Sequence, residues 1–191
     1  MRHEPHQSRL DILRNDQLSE GTHSPGATWF FTVNLAERRK NRLLLENIDV
    51  LRQVFRQIRT RHPFAIDAIV VLPEHLHCVW TLPDGDSDYK MRWALIKAGF
   101  SRQIPAGERR SKSRVKRGER GIWQRRYWEH MVRDDRDFER HVDYIHWRPV
   151  KHGWVKRAED WPYSSFHAYS RRGLYPPDWA CDPCVTINGG E

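Results

Sequence analysis

The sequence predicts an α+β domain: a ferredoxin-like βαββαβ unit folded as a four-stranded antiparallel sheet with both helices on one face, followed by a further helix and a Pro- and aromatic-rich C-terminal wrap. Three observations predict it. Short runs of aromatic and β-branched residues alternate with segments whose apolar residues recur at helical spacing. Two of those runs are separated only by Pro73-Glu74, as in a hairpin. The 191 residues include 9 Trp, 6 Tyr and 7 Phe, so one domain can bury a substantial core although only 38% of the chain is hydrophobic.

Residues 1–24 are polar and lack apolar periodicity, and read as a flexible extension or as translation from an upstream start codon. The domain is expected over 25–180, with 181–191 as a tail. Pro25-Gly26 is a turn signal, and 28–34, rich in aromatic and β-branched residues, is the first strand. Ile48, Leu51, Val54, Phe55 and Ile58 then define an amphipathic helix that His62-Pro63 stops. The runs 64–72 and 75–82 are the second and third strands. A second helix covers 88–103, with Trp93, Ile96 and Phe100 on one face. Charged residues interrupted by Ser, Gly and Pro make 105–121 a loop. A short strand is expected at 127–132. Asp134 or Asp135 caps a third helix that turns Phe138, Val142 and Ile145 inward and whose regular turns end at Pro149.

The formal net charge is +8, and most of the excess sits in 101–130, where ten basic residues face three acids. Arg109, Arg110, Lys112, Arg114, Lys116, Arg117, Arg125 and Arg126, close to Trp123, Tyr127 and Trp128, suit a phosphate backbone with unpaired bases stacked beside it. A solvated basic linker is the plainer alternative. The longest apolar run, 68–72, is far too short to cross a bilayer. No secretory signal is evident, and three Cys exclude a disulfide framework, so a cytoplasmic protein is expected. Cys181 and Cys184 have the spacing of half a zinc site but lack a second pair, and read as incidental.

His75-Leu76-His77 is the sharpest chemical feature. Strand alternation brings both imidazoles out on the open face of the sheet and turns Leu76, Cys78 and Trp80 toward the core. Two imidazoles so placed can hold one divalent metal, although surface histidines on a solvated strand give the same pattern. On the third helix, Tyr144 lies off the stripe of Phe138, Val142 and Ile145, on the side of His141 and Arg148, where it can face a cleft or make a single structural hydrogen bond.

Five blocks carry a resemblance to a known family. They are Gly26-Ala27-Thr28-Trp29-Phe30-Phe31-Thr32-Val33-Asn34, Val71-Leu72-Pro73-Glu74-His75-Leu76-His77-Cys78-Val79-Trp80, Ile122-Trp123-Gln124-Arg125-Arg126-Tyr127-Trp128-Glu129-His130, His141-Val142-Asp143-Tyr144-Ile145 and Pro149-Val150-Lys151-His152-Gly153. In order and spacing these resemble the REP-associated tyrosine transposases, single-tyrosine HUH nucleases related to the transposases of small single-strand insertion sequences. The resemblance implies the HUH nuclease fold, with His75 and His77 as ligands of Mg²⁺ or Mn²⁺ and Tyr144 as nucleophile. It implies cleavage of single-stranded DNA beside a hairpin formed by a repetitive extragenic palindrome, through a 5′-phosphotyrosine link. It also implies a nucleoid-associated bacterial enzyme acting as a monomer or homodimer, without a membrane. Gly26, Thr28 and Trp29 would read bases at the hairpin foot, and Arg148 and Lys151 would contact DNA.

One position departs from the family pattern. Four residues after the tyrosine, where the family usually carries Asn, Gln or a similar metal ligand, this chain has Arg148. A guanidinium has no lone pair to give. Water, Glu129, His152 or His141 would then complete the site, or Arg148 would hold the phosphate, or the protein would bind hairpins without cutting them. An RNA-binding sheet is the remaining alternative, and would call for stacking aromatics where this chain has histidines.

Overall fold

In the computed structural model, which describes residues 25–176 and 178–181, four strands form one sheet in the order β2-β3-β1-β4. They are β1 (Pro25–Asn34), β2 (Ala65–Val71), β3 (His75–Pro83) and β4 (Trp128–Met131), and every neighbouring pair is antiparallel. This is the sheet the element order predicts. The expected extension 1–24 and the tail residues 182–191, Cys184 included, lie outside the described residues; Cys181 is a free, exposed thiol.

The helices are α1 (Leu43–Glu46), α2 (Ile48–Arg61), α3 (Tyr89–Gln103), α4 (Lys112–Lys116), α5 (Asp135–Lys151) and α6 (Phe166–Arg171). Leu51, Val54, Phe55 and Ile58 of α2 are buried, as their spacing requires. On this face of the sheet Trp80 stacks on Trp93 of α3, ring centroids 4.2 Å apart, and meets Phe55 edge-on at 6.1 Å. Asp88 starts α3 by accepting a hydrogen bond from the Met91 N–H.

Two expectations are corrected. The basic segment 105–121 is not all loop: Ser111 accepts the Arg114 N–H and nucleates the one-turn α4. Pro149 does not end α5, which runs to Lys151. A proline there removes only one backbone donor, and the His152 N–H to Arg148 carbonyl bond carries the last turn past it.

After α5 the chain turns back along the outer edge of β2. Val71 N–H donates to the Tyr163 carbonyl and Ser165 N–H to the Ile69 carbonyl, which satisfies backbone groups an edge strand would otherwise leave open. The same segment clasps the back of α5. His146 is fully buried, with its ring nitrogens 2.8 Å from Tyr175 Oη and Ser165 Oγ, and Tyr175 donates in turn to Asp143 at 2.9 Å. Tyr144 therefore sits between two residues whose positions the wrap fixes.

Candidate active site

The register pairs Thr32 with His77 and Asn34 with His75 across β1 and β3. His75 and His77 thus leave the sheet together, on the face away from α2 and α3, as alternation predicts. That face is not open. α5 lies over it, and each histidine retains only 2% of its surface exposure, so the expectation of an open sheet face is corrected and the alternative of solvated surface histidines does not hold. Their rings are 4.9 Å apart, and the Tyr144 ring meets His77 edge-on at 5.3 Å. Tyr144 keeps 37% exposure: it reaches both the histidines and solvent.

The imidazoles are oriented by their neighbours. Glu74 Oε1 lies 3.0 Å from His75 Nδ1, and because a carboxylate only accepts, that nitrogen donates, which leaves Nε2 as the nitrogen not engaged by Glu74. Thr32 Oγ1 lies 2.8 Å from His77 Nδ1, while His77 Nε2 is buried with no hydrogen-bond partner among the described residues. A proton on Nε2 would be a buried donor with no acceptor, so the favoured tautomer carries it on Nδ1 and presents a lone pair. Burial, and after it the charges of His75 and Arg148, push His77 down to about 2, which keeps it neutral. Burial alone would raise Glu74, but the hydrogen bond and charge of His75, with Arg38, hold it at about 2, ionised. Imidazoles steered by an oxygen behind each Nδ1 are the arrangement in which histidine binds a metal through Nε2, so the donor set fits a divalent cation.

Arg148 occupies the edge of this site. Its guanidinium lies 4.8 Å over the Tyr144 ring and donates to His152 Nε2 at 2.6 Å, while its Nε is buried without a partner among the described residues. Burial and the Arg148 charge push His152 down to about 4. Of the side chains considered for a third ligand, His152 is near, 5.5 Å ring to ring from His75. Glu129 pairs with Phe31 and so belongs to the opposite face. His141 is engaged elsewhere: with His130 and Asp137 it forms a cluster whose ligand-type atoms lie within 4.8 Å of one another. In that cluster Asp137 accepts from His130 Nε2 at 2.8 Å, the Arg133 N–H at 3.2 Å and Arg140 at 3.3 Å, which joins β4 to the start of α5.

The remaining sequence candidates fall into separate groups. Gly26, Thr28 and Trp29 lie at the end of β1 remote from His75. A Cβ on Gly26 would overlap the Leu82 and Pro83 carbonyl oxygens, Thr28 hydrogen-bonds Thr81, and the Trp29 ring packs on Tyr89 at 4.5 Å. The basic segment returns to the sheet at the other end of β1, where Ala36 N–H donates to the Ile122 carbonyl and Gln124 N–H to the Asn34 carbonyl. Within it Arg114 donates to the Trp123 carbonyl and Arg125 pairs with Glu119, whereas Arg109, Arg110, Lys112, Lys116 and Arg117 are exposed. Arg126 is exposed as well, and Lys151 lies 5.2 Å from the Trp147 ring. Sequence reasoning missed Thr32 and Glu74. Glu74 had a signal, as the residue directly before the first histidine; Thr32 had none before the register was known.

No protein-family model matches the chain. A curated Escherichia coli K12 protein, the REP-associated tyrosine transposase, is 49% identical over 166 residues, 87% of this chain and 92% of that protein. The chain belongs to the REP-associated tyrosine transposase family. A Haemophilus influenzae relative of these transposases is 44% identical over 165 residues, 86% of this chain and 93% of its own length. A solved structure of a REP-associated tyrosine transposase bound to a REP hairpin superposes with a TM-score of 0.69 at 46% identity, covering 90% of this chain and 95% of that one. Among the described residues of this transposase, no helix is long and apolar enough to cross a membrane.

Proposed function

We propose that this chain cuts and rejoins single-stranded DNA beside palindromic hairpins, with Tyr144 as nucleophile, His75 and His77 as ligands of Mg²⁺ or Mn²⁺, and residues 25–180 as the transposase domain. The observation that carries the reading is the half-exposed Tyr144 ring set 5.3 Å from a buried His77 whose Nε2 has no partner among the described residues. Tyr144 Oη would attack the scissile phosphorus, lose its proton and leave a 5′-phosphotyrosine and a free 3′-hydroxyl; attack by that or another 3′-hydroxyl reverses the link. A bound divalent cation would polarise the phosphate and offset the charge that develops on it. Nitrogen ligands favour Mn²⁺ over Mg²⁺. Arg148, whose Nε is unpartnered, would add a charge-assisted hold on the same phosphate.

The test is incubation of a hairpin oligonucleotide, labelled at each end in turn, with Mn²⁺ and either the native protein or Tyr144→Phe. A covalent adduct on the 5′-phosphate fragment, absent from Tyr144→Phe while hairpin binding stays within a few-fold, is expected. An adduct that persists in Tyr144→Phe overturns the assignment of the nucleophile; binding with no cutting by the native protein reduces the function to hairpin recognition.

A further inference from the structure

On the side of Tyr144 toward the start of α5, the helix and the sheet enclose an open cavity of about 510 Å³. Its walls are Phe30 and Thr32 of β1, Trp128 of β4, and Arg140, His141 and Tyr144 of α5. The chemistry of those walls is specific. Trp128 is 54% exposed, although an indole left in water forfeits much of the gain from burial. Its orientation is nevertheless fixed, because the ring stacks on His130 at an interplanar angle of 7° and His130 stacks on His141 at 24°. Phe30 supports both sides, lying 5.4 Å from the Trp128 ring and 5.7 Å from Tyr144. Arg140 contributes a mostly exposed cation at the rim. A rigid aromatic platform, flat apolar walls and one cation, in a volume suited to a small ligand, describe a receptor for a nucleobase rather than for an extended strand.

We propose that this cavity takes the nucleobase adjoining the scissile phosphate, turned out of the strand and stacked on Trp128, with Arg140 on its neighbouring phosphate. The inference rests on the reading of Tyr144 as nucleophile. Its consequence is positional: Trp128 and Tyr144 flank the same phenyl ring, so anchoring the base on one holds the phosphate at the other. Trp128 is accordingly a positioning residue, and the cavity contributes to the choice of cleavage site.

The experiment scans 2-aminopurine through the single-stranded flank of a hairpin oligonucleotide bound to Tyr144→Phe, with the cut mapped separately by native protein. Fluorescence is expected to drop at one of the two nucleotides adjoining the cut. The drop should vanish when Trp128→Ala is added and survive Trp128→Phe, which keeps a stacking ring and guards against misfolding. Trp128→Ala should weaken binding roughly tenfold, and an abasic site at that nucleotide should make native and Trp128→Ala proteins bind alike. A flat scan, or a drop indifferent to Trp128→Ala, overturns the proposal. The two failures are distinguishable: an adduct that persists in Tyr144→Phe sinks the nucleophile and, with it, the placing of the base beside that residue, whereas a flat scan beside a cleavage-dead Tyr144→Phe sinks the cavity alone.

Discussion

Thr32 has a small hydroxyl with a large consequence, because its contact with His77 Nδ1 leaves Nε2 as the nitrogen offered to the proposed metal. Thr32→Val keeps the shape and removes the oxygen. We expect Mn²⁺ affinity, measured by calorimetry, to fall about 10- to 100-fold with little change in melting temperature; an unchanged affinity would mean that packing alone fixes the ring. Arg148 makes the opposite prediction. Its positive charge beside the two imidazoles opposes cation binding, so Arg148→Asn should tighten Mn²⁺ in the absence of DNA and raise cleavage most at low Mn²⁺. Equal affinity of the two proteins would count against that account. At this scale the histidine pair and Tyr144 were legible, because period 2 and the buried helical stripe each assign a face from local sequence. Thr32 was not, because a register linking residues 45 positions apart chooses its partner.

Among the elements, α5 carries Tyr144, and Asp137 is where it is fastened to β4. The His130 hydrogen bond holds the Asp137 carboxyl at about 2, below its ordinary 3.8. A depressed folded-state value means that the stabilisation is complete above the ordinary value and is lost as pH falls from about 4 through about 2. Asp137→Asn should therefore cost about 1–3 kcal/mol at neutral pH, and the deficit should shrink at pH near 3. Urea unfolding at the two pH values measures this, and a deficit independent of pH would assign the cost to packing rather than charge. The bounds of α5 were half legible. The sequence marked its start at Asp134 or Asp135, and Asp134 caps it, but Pro149 suggested an early end, since a proline reports a missing donor without revealing whether neighbouring bonds carry the helix onward. The four-residue α1 offered no periodicity to read.

For the whole molecule, net charge is less informative than uncommitted charge. Arg120 is spent on Glu108 and three backbone carbonyls, and Arg125 on Glu119, whereas Arg109, Arg110, Lys112, Lys116 and Arg117 make no ion pair among the described residues. Five phosphate contacts imply a log–log salt slope of about −3.5 for a single strand. Changing those five residues to Gln should remove most of that slope, and a slope that stays unchanged would exclude the segment from the DNA interface. The wrap over β2 and α5 was foreseen only as Pro- and aromatic-rich chain, since composition names no target for it. Yet Tyr163, Ser165 and Tyr175 hold the β2 edge and the back of the tyrosine helix. These residues are translated after every element they fasten. On a growing chain the sheet and the histidine pair are therefore translated before the segment that seats the Tyr144 helix, so the order of synthesis sets the order in which the two halves of the site can be fastened together.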